Sequence, residues 1–506
     1  MASKIFTGNM PELMEKILNN LNHEFYSLYS CALVCRHWCK MSIPILWQDP
    51  FSYSYNEKRS LFISNYFSSL KEDEKFVLKN CNIYVGFSKT LFDYAIFLKV
   101  LDLYCLEHMI KLWLDFQLGL GFPFLKKSKA VYRMINLLFK LFIKSGATLY
   151  KLDLSSFECI QIKPEIFYSL QRNEKFFSQL QDLSLRDLSK FSIESAVNLL
   201  MILAKNARKI SSLYLEIYTK YDPQVFQALI SIIKSQEQLR LFRINSGDGE
   251  DVIEEYNGII SALTSQKQSL QEIILEYCEY SVEFEVLMNC ENLEILRIDN
   301  SDYILLNISG SKINTLEVTD QIIKTSPIVS FLEKSGTLLQ RLKLICSEIS
   351  EEESHLLKAL ISKFLCPNLT YLYMCVGTFS ENLELISKLQ KLQYFTLWFE
   401  DNISEEEVKK FAEVLPLTLQ YLDLIHTPQL NSYLDIWLNN CHAPLKKILI
   451  KSFDETRAKA LIEFCMRKRT LNYVGVSKYS DLNDNIKKEM EKYVKVVPFK
   501  SILVDY

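Results

Sequence analysis

Cys31, Cys35 and Cys39, with His37 between the last two, come nearest in type and spacing to a metal site. On one helix, thiols at i, i+4 and i+8 would share a face, and thiolates with an imidazole are zinc ligands. Zinc sites, however, usually join Cys-x2–4-Cys pairs through turns, and no second pair lies nearby. Packed thiols on an apolar helix face are therefore the preferred reading, and no metal is expected. The six histidines, at positions 23, 37, 108, 355, 426 and 442, are scattered, and none begins His-Glu-x-x-His. No Gly-x-Ser-x-Gly elbow and no set of kinase loops occurs. Gly119-Leu120-Gly121 and Gly247-Asp248-Gly249 lack the third glycine of a dinucleotide loop, and neither leads into a Gly-Lys-Ser/Thr. Catalysis by the chain itself is not expected, and neither is a cofactor.

The composition explains why phosphate cradles are missing. There are 12 Gly and 12 Pro in 506 residues, about 2.4% each against roughly 7% and 5% in ordinary proteins. That excludes collagen, flexible linkers and Pro-rich disorder. Hydrophobic residues at 49% and charged ones at 24% describe a folded chain. The 58 basic and 61 acidic residues leave a net charge of −3 without a basic arm, so neither nucleic acid nor an anionic membrane is an expected partner. Val131 to Ile143 is the most apolar stretch, but Arg133 and Lys140 interrupt it and it is too short to span a bilayer. The chain opens Met-Ala-Ser-Lys-Ile-Phe-Thr, without the apolar core of a signal peptide. Its 13 cysteines, an odd number, then read as reduced thiols in the cytoplasm, the nucleus or both.

The elements that organise the chain emerge as a repeat. The unit apolar-x-x-apolar-x-apolar runs from Leu149/Leu152/Leu154 to Leu471/Val474/Val476, thirteen times, with 20 to 31 residues between successive first positions. Each unit predicts a short strand whose inward side chains are buried only when neighbouring units stack. Helices are expected between strands, for example Ile193 to Lys209, Val225 to Ser235 and Ser354 to Phe364, with Ser404 and Glu407 as a capping box. The acidic runs Glu351–Glu353 and Glu405–Glu407 read as helix starts rather than metal ligands. Leu98/Leu101/Leu103 matches the unit once, but its surroundings read equally well as helix. From Leu149 to Tyr506 the pattern resembles the leucine-rich-repeat family in degenerate form. The family's Asn or Cys after the last strand Leu is found only at Cys278, so another way of satisfying buried backbone is expected, through the helices.

Ahead of the repeats, Met10, Leu13, Met14, Ile17, Leu18 and Leu21 recur with helical spacing; Asn9 is placed to cap that helix and Pro11 falls in its first turn. A second helix is expected to carry Leu28, Cys31, Ala32, Cys35 and Trp38, followed by Ile43-Pro44-Ile45-Leu46-Trp47. So short a stretch with this much apolar surface should meet a partner. Met10-Pro11-Glu12-Leu13, Ile17, Leu21, Leu33-Val34-Cys35-Arg36-His37-Trp38 and Leu46-Trp47 together resemble an F-box, with Met-Pro in place of the family's Leu-Pro. The whole chain is then similar to F-box proteins with degenerate leucine-rich repeats, such as the expanded fungal families. The resemblance implies an α/β architecture: an F-box over 1–50, a helical connector and N-terminal cap over 51–148, and over 149–506 a leucine-rich-repeat solenoid with parallel strands on the concave face and helices outside. It also implies docking to a Skp-type adaptor of an SCF-type cullin–RING ubiquitin ligase, with Pro11, Leu13, Ile17, Val34, Cys35 and Trp38 as interface residues. Which of these face the adaptor and which fill the box's own core stays open.

On the repeat strands, the positions between the buried ones face outward. Three successive repeats place Tyr371, Tyr394 and Tyr421 there, with Tyr373 and Trp398 on the same face and Tyr473 further on. Aromatics with a polar tip favour interface hot spots, so these residues are the candidate surface for a target protein; stacked tyrosines that merely stabilise the sheet are the other reading. Charges elsewhere on the face are mixed (Glu272, Glu276, Arg297, Asp299, Arg341, Lys343). The expected function is target recognition for ubiquitin transfer by other subunits, with a protein-binding scaffold as the alternative.

Overall fold

The computed structural model describes residues 11–504 except 23, 53–56, 82, 84–89, 119–123, 156–161, 218–221, 248–254, 309–311, 349–365, 375–378, 399–402, 453 and 479–482. Asn9, Met10, Glu351–Glu353 and the expected helix Ser354–Phe364 lie outside the described residues. The chain forms two compact units, Met1–Ser269 and Leu270–Tyr506, so the repeats span both.

The first unit opens with three helices, α1 (Pro11–Asn19), α2 (Phe25–Ala32) and α3 (Arg36–Leu46). The second expected helix is thus two. Val34 N–H turns back to the Cys31 carbonyl at 3.2 Å, and Cys35 is extended at φ −162°, ψ 171°, as the N-cap of α3. The break lets α3 fold back so that Ile45 and Leu46 pack on Leu28 and Ala32, burial that a straight helix could not give. Cys31, Cys35 and Cys39 consequently sit on α2, at the break and on α3, and the shared helix face assumed for a metal site does not exist.

Five strands follow in this unit: β1 (Val100–Asp102), β2 (Lys151–Asp153), β3 (Asp182–Leu185), β4 (Ser212–Glu216) and β5 (Leu241–Asn245), parallel and paired in sequence order. Leu98/Leu101/Leu103 is therefore a repeat strand, and helix begins at Leu103. The second unit has ten more in the same order. They are β6 (Glu272–Glu276), β7 (Ile295–Asp299), β8 (Thr315–Ile322), β9 (Arg341–Glu348), β10 (Tyr371–Met374), β11 (Tyr394–Leu397), β12 (Tyr421–Asp423), β13 (Lys447–Ser452), β14 (Tyr473–Lys478) and β15 (Lys495–Pro498). All thirteen expected strands form, with β1 and β15 added. This is a leucine-rich-repeat type of α/β architecture behind an N-terminal helical domain.

The register follows the apolar unit. Leu101, Leu152, Leu183, Leu213 and Phe242 align side by side in the first unit, and Ile273 through Val474 do so in the second; all are buried. The return segments differ between repeats. Several are α-helices, such as Ile193–Asn206, capped by Ser192, and Pro223–Ser235, capped by Asp222. Ser404 and Glu407 make the expected reciprocal box at Glu405–Val414. Elsewhere the returns are 3-10 segments, Ser261–Gln266, Val282–Asn289 and Tyr303–Ile308. These correct the expectation of helices throughout.

The missing asparagine ladder has substitutes. Gln236 accepts from Ile210 N–H at 3.0 Å, and Gln266 accepts from Leu239 N–H at 3.2 Å while donating to the carbonyls of Ile233 and Gln236, both at 3.0 Å. Both amides sit at the end of a return segment and reach the first apolar position of a repeat. Ser301 bridges Cys278 N–H and the Leu275 carbonyl, and Asn431 ties Leu424 to Lys451 N–H. Replacing Gln266 with Met keeps the volume but leaves three buried backbone groups one partner short. Gln266→Met is expected to lower stability by about 2–4 kcal/mol, read from the urea midpoint of the purified protein.

Candidate functional site

The three N-terminal helices divide their apolar residues between two directions. Met14, Leu18, Leu28, Ala32, Ile45 and Leu46 form a small core, against which Trp38, Met41 and Trp47 pack partly buried. One residue before Met14 and Leu18 on the helix, Leu13 and Ile17 remain 38% and 43% exposed. At the α2–α3 break Leu33 and Val34 are 69% and 62% exposed, and Cys35 is exposed too. Of the expected interface residues, Leu13, Ile17, Val34 and Cys35 thus point to solvent, Trp38 serves the core, and Pro11 opens α1. Tyr26, Tyr29 and Leu33 are exposed apolar residues of this domain that sequence reasoning did not place at the interface. The signal available for the tyrosines was their position out of phase with Leu28 and Ala32 on α2.

This domain is joined to the repeats through backbone. Lys99 and Val100 N–H both donate to the Gln48 carbonyl, at 2.9 and 3.0 Å. Tyr150 and Lys151 N–H donate to the Lys99 carbonyl in the same paired way, so Gln48 stands where a preceding repeat would. Aromatic packing fixes the joint: Trp47 stacks on Tyr94 at 4.0 Å and meets Tyr66 edge-on at 5.1 Å.

The second unit carries the other candidate surface. Tyr371, Tyr394 and Tyr421 pair in register across β10, β11 and β12. The rings of Tyr394 and Tyr421 are 6.1 Å apart, and the Arg341 guanidinium lies 3.6 Å over Tyr371. Tyr373 has Lys343 5.4 Å from its ring, and Trp398 stacks on His426 at 4.7 Å. The charges next to the row answer one another. Arg297 reaches Glu272 at 2.6 Å and Glu317 at 3.3 Å, and Arg341 reaches Glu317 at 3.0 Å. Burial pushes the Glu272 carboxyl above its usual range, with Arg297 working against it.

Part of the tyrosine row is covered by the chain itself. Tyr371, Tyr421 and Leu449 form a buried cluster with Ile502 and Val504, against which Tyr373, Tyr394, Tyr473 and Phe499 pack. Val504 N–H donates to the Tyr421 hydroxyl at 3.4 Å. Tyr371 and Tyr421 are therefore buried, whereas Tyr373, Tyr394 and Trp398 stay partly exposed. The expectation of an open aromatic ladder is corrected to that extent.

Residues 11–52 match the F-box-like family model. The N-terminal helices form an F-box-like domain. No curated protein matches the chain. A chain in the crystal structure of the Rad7 and Elc1 complex in yeast is similar at TM-score 0.42 and 14% identity, over 74% of this chain and 95% of that one. The leucine-rich repeat-containing protein LegL7 from Legionella pneumophila is similar at TM-score 0.37 and 13% identity, over 63% of this chain and 96% of that one.

In the F-box-like domain Cys31 is pushed above its ordinary range by burial, and in the repeats burial takes the Cys366 thiol up to about 12 and that of Cys290 up to about 11. These thiols stay protonated and act as packing groups.

Gly475 lies directly under the segment that follows β15. A Cβ built there meets Leu449 Cδ2 at 2.1 Å, Phe499 Cα at 3.0 Å and Ile502 Cδ1 at 3.1 Å. Gly475→Ala is expected to cost about 1–3 kcal/mol of stability through overpacking. Faster amide exchange at Ile502 and Val504, with exchange at β7 and β8 unchanged, would show that the strain falls on the covering segment.

Proposed function

We propose that the protein is the substrate-recognition subunit of an SCF-type cullin–RING ubiquitin ligase. Its F-box-like domain docks onto a Skp-type adaptor, and the tyrosine-bearing strand face of the second unit takes a target protein. The observation that carries this is the exposure of the apolar side chains Leu13, Ile17, Leu33 and Val34 on a small domain whose core is formed by other residues. Anchors of this kind, centred on a patch and emptied of water on docking, supply most of the energy of an interface. The chain would supply no catalytic group. Holding a target beside the transferring subunits raises the effective concentration of its lysines, and ubiquitin passes to them from those subunits. The assembly is placed in the cytoplasm, the nucleus or both. The paired charges along the strand face favour a target recognised by apolar and aromatic contacts.

The test is capture of a purified Skp-type adaptor and cullin by the full chain. Leu13→Asp combined with Val34→Asp is expected to reduce capture at least about 30-fold, the loss of roughly 2 kcal/mol that a hot spot carries. Its melting curve should be unchanged, because both positions are exposed. Met14→Asp, which places a charge in the domain core, should lose capture together with the fold. A wild-type chain that fails to hold the adaptor where an established F-box protein succeeds would leave a binding scaffold without a ubiquitin role.

A further inference from the structure

The segment after β15 does more than end the chain. A turn at Phe499–Ser501 carries it back across the sheet. Phe499 and Ile502 lie over Gly475 of β14, and Ile502 and Val504 join Leu449 of β13 and Tyr421 of β12 in one cluster. Ile502 and Val504 are buried, while Leu503 between them is 39% exposed, so the turn lays two aliphatic side chains, two residues apart, onto the surface. Its internal hydrogen bonds are local, with Ile502 and Leu503 N–H both donating to the Phe499 carbonyl. Val504 N–H donates to the Tyr421 hydroxyl at a long 3.4 Å. Phe499, Ile502 and Val504 hold the segment by side-chain packing, outside the strand ladder, which places it below the repeat strands in local stability.

We propose that Phe499–Val504 is a built-in stand-in for the target. The tyrosine row takes a turn-forming peptide segment with aliphatic side chains two residues apart, and in the free protein Ile502 and Val504 occupy that place. The inference rests on the reading of this face as the target surface and adds the chemistry of what it holds. Gly475 supplies the close approach that a peptide backbone needs, since any Cβ there would strike Phe499. Tyr421 supplies an aromatic floor and a hydroxyl that accepts from the peptide backbone. Tyr394 and Tyr373 continue the floor beyond Val504. Covalent attachment keeps the stand-in at high effective concentration, so weak ligands are excluded and a target must match the pattern to displace it.

The experiment uses the full chain and a fluorescein-labelled synthetic peptide of residues 499–506, Phe-Lys-Ser-Ile-Leu-Val-Asp-Tyr, followed by fluorescence anisotropy. Ile502→Asp combined with Val504→Asp releases the covering segment. This variant is expected to bind the peptide at least tenfold more tightly than wild type. Adding Tyr421→Ala should remove that gain, and a peptide with Asp at the Ile and Val positions should not bind. Equal affinity for wild type and the released variant, or no binding to a variant that melts like wild type, overturns the proposal. If the double variant fails to fold, Val504→Ala decides: a threefold or greater gain in peptide affinity supports the stand-in, and no gain overturns it. Adaptor capture measured on the same preparations separates the two readings. Capture without peptide binding sinks only this inference, and peptide binding without capture sinks only the ligase assignment.

Discussion

Two consecutive backbone N–H groups donating to one carbonyl of the preceding repeat are the interaction on which everything else is built. Gln340 and Arg341 give theirs to Asn314, Thr370 and Tyr371 to Gln340, Gln393 and Tyr394 to Thr370. The pairing recurs up to Asn472 and Tyr473 on Lys446. It sets where each strand begins relative to its neighbour. Because side chains alternate with a period of two, a slip of one residue would turn the whole apolar column outward, so the burial of that column and the pairing enforce one register together. The same constraint lines up Tyr371, Tyr394 and Tyr421 at the strand spacing of about 4.8 Å. It also fixes the F-box-like domain: Gln48 accepts from Lys99 and Val100 as if it were a repeat.

What the amino-acid sequence made legible follows from that constraint. The apolar-x-x-apolar-x-apolar unit was readable because its apolar positions lie in a common core and tolerate nothing polar. β15 escaped because the corresponding positions are Tyr493, Val496 and Pro498, of which the first is exposed and the last closes the strand. β1 was ambiguous because helix begins one residue past its end, so the periods of two and 3.6 overlap at Leu103. The break at Leu33–Cys35 was hidden by unbroken apolar character. Only the folding back of α3 separates what faces the core from what faces out. The substitutes for the asparagine ladder were illegible for a different reason: Gln236 and Gln266 act from the ends of the return segments, where a glutamine ordinarily reads as surface.

The candidate site shows the same division. That α1 carries two adjacent apolar stripes was visible, but not which one the protein keeps for itself. Met14 and Leu18 meet Leu28 and Ala32 in the core, whereas Leu13 and Ile17, one position earlier, stay partly exposed. On the strand face, the alignment of the tyrosines was legible in the repeat register. Their cover was not, since Val504 and Tyr421 lie 83 residues apart and no period connects them.

That cover has a physical reason independent of any target. A run of tyrosines in register, with Leu449 beside it where the neighbouring β12 places Asp423, is an apolar and aromatic patch on a parallel sheet. Patches of this kind associate with whatever offers a matching surface unless something shields them. A segment from the same chain shields without a partner, and its tether replaces strength of contact by effective concentration. Weak contact is then an advantage. A cover bonded as tightly as a repeat would have been a sixteenth strand, with its backbone committed to the ladder and its place permanently filled. Phe499–Val504 instead lies across the strands with its backbone bonded mainly to itself, so the face it hides stays available to a better ligand.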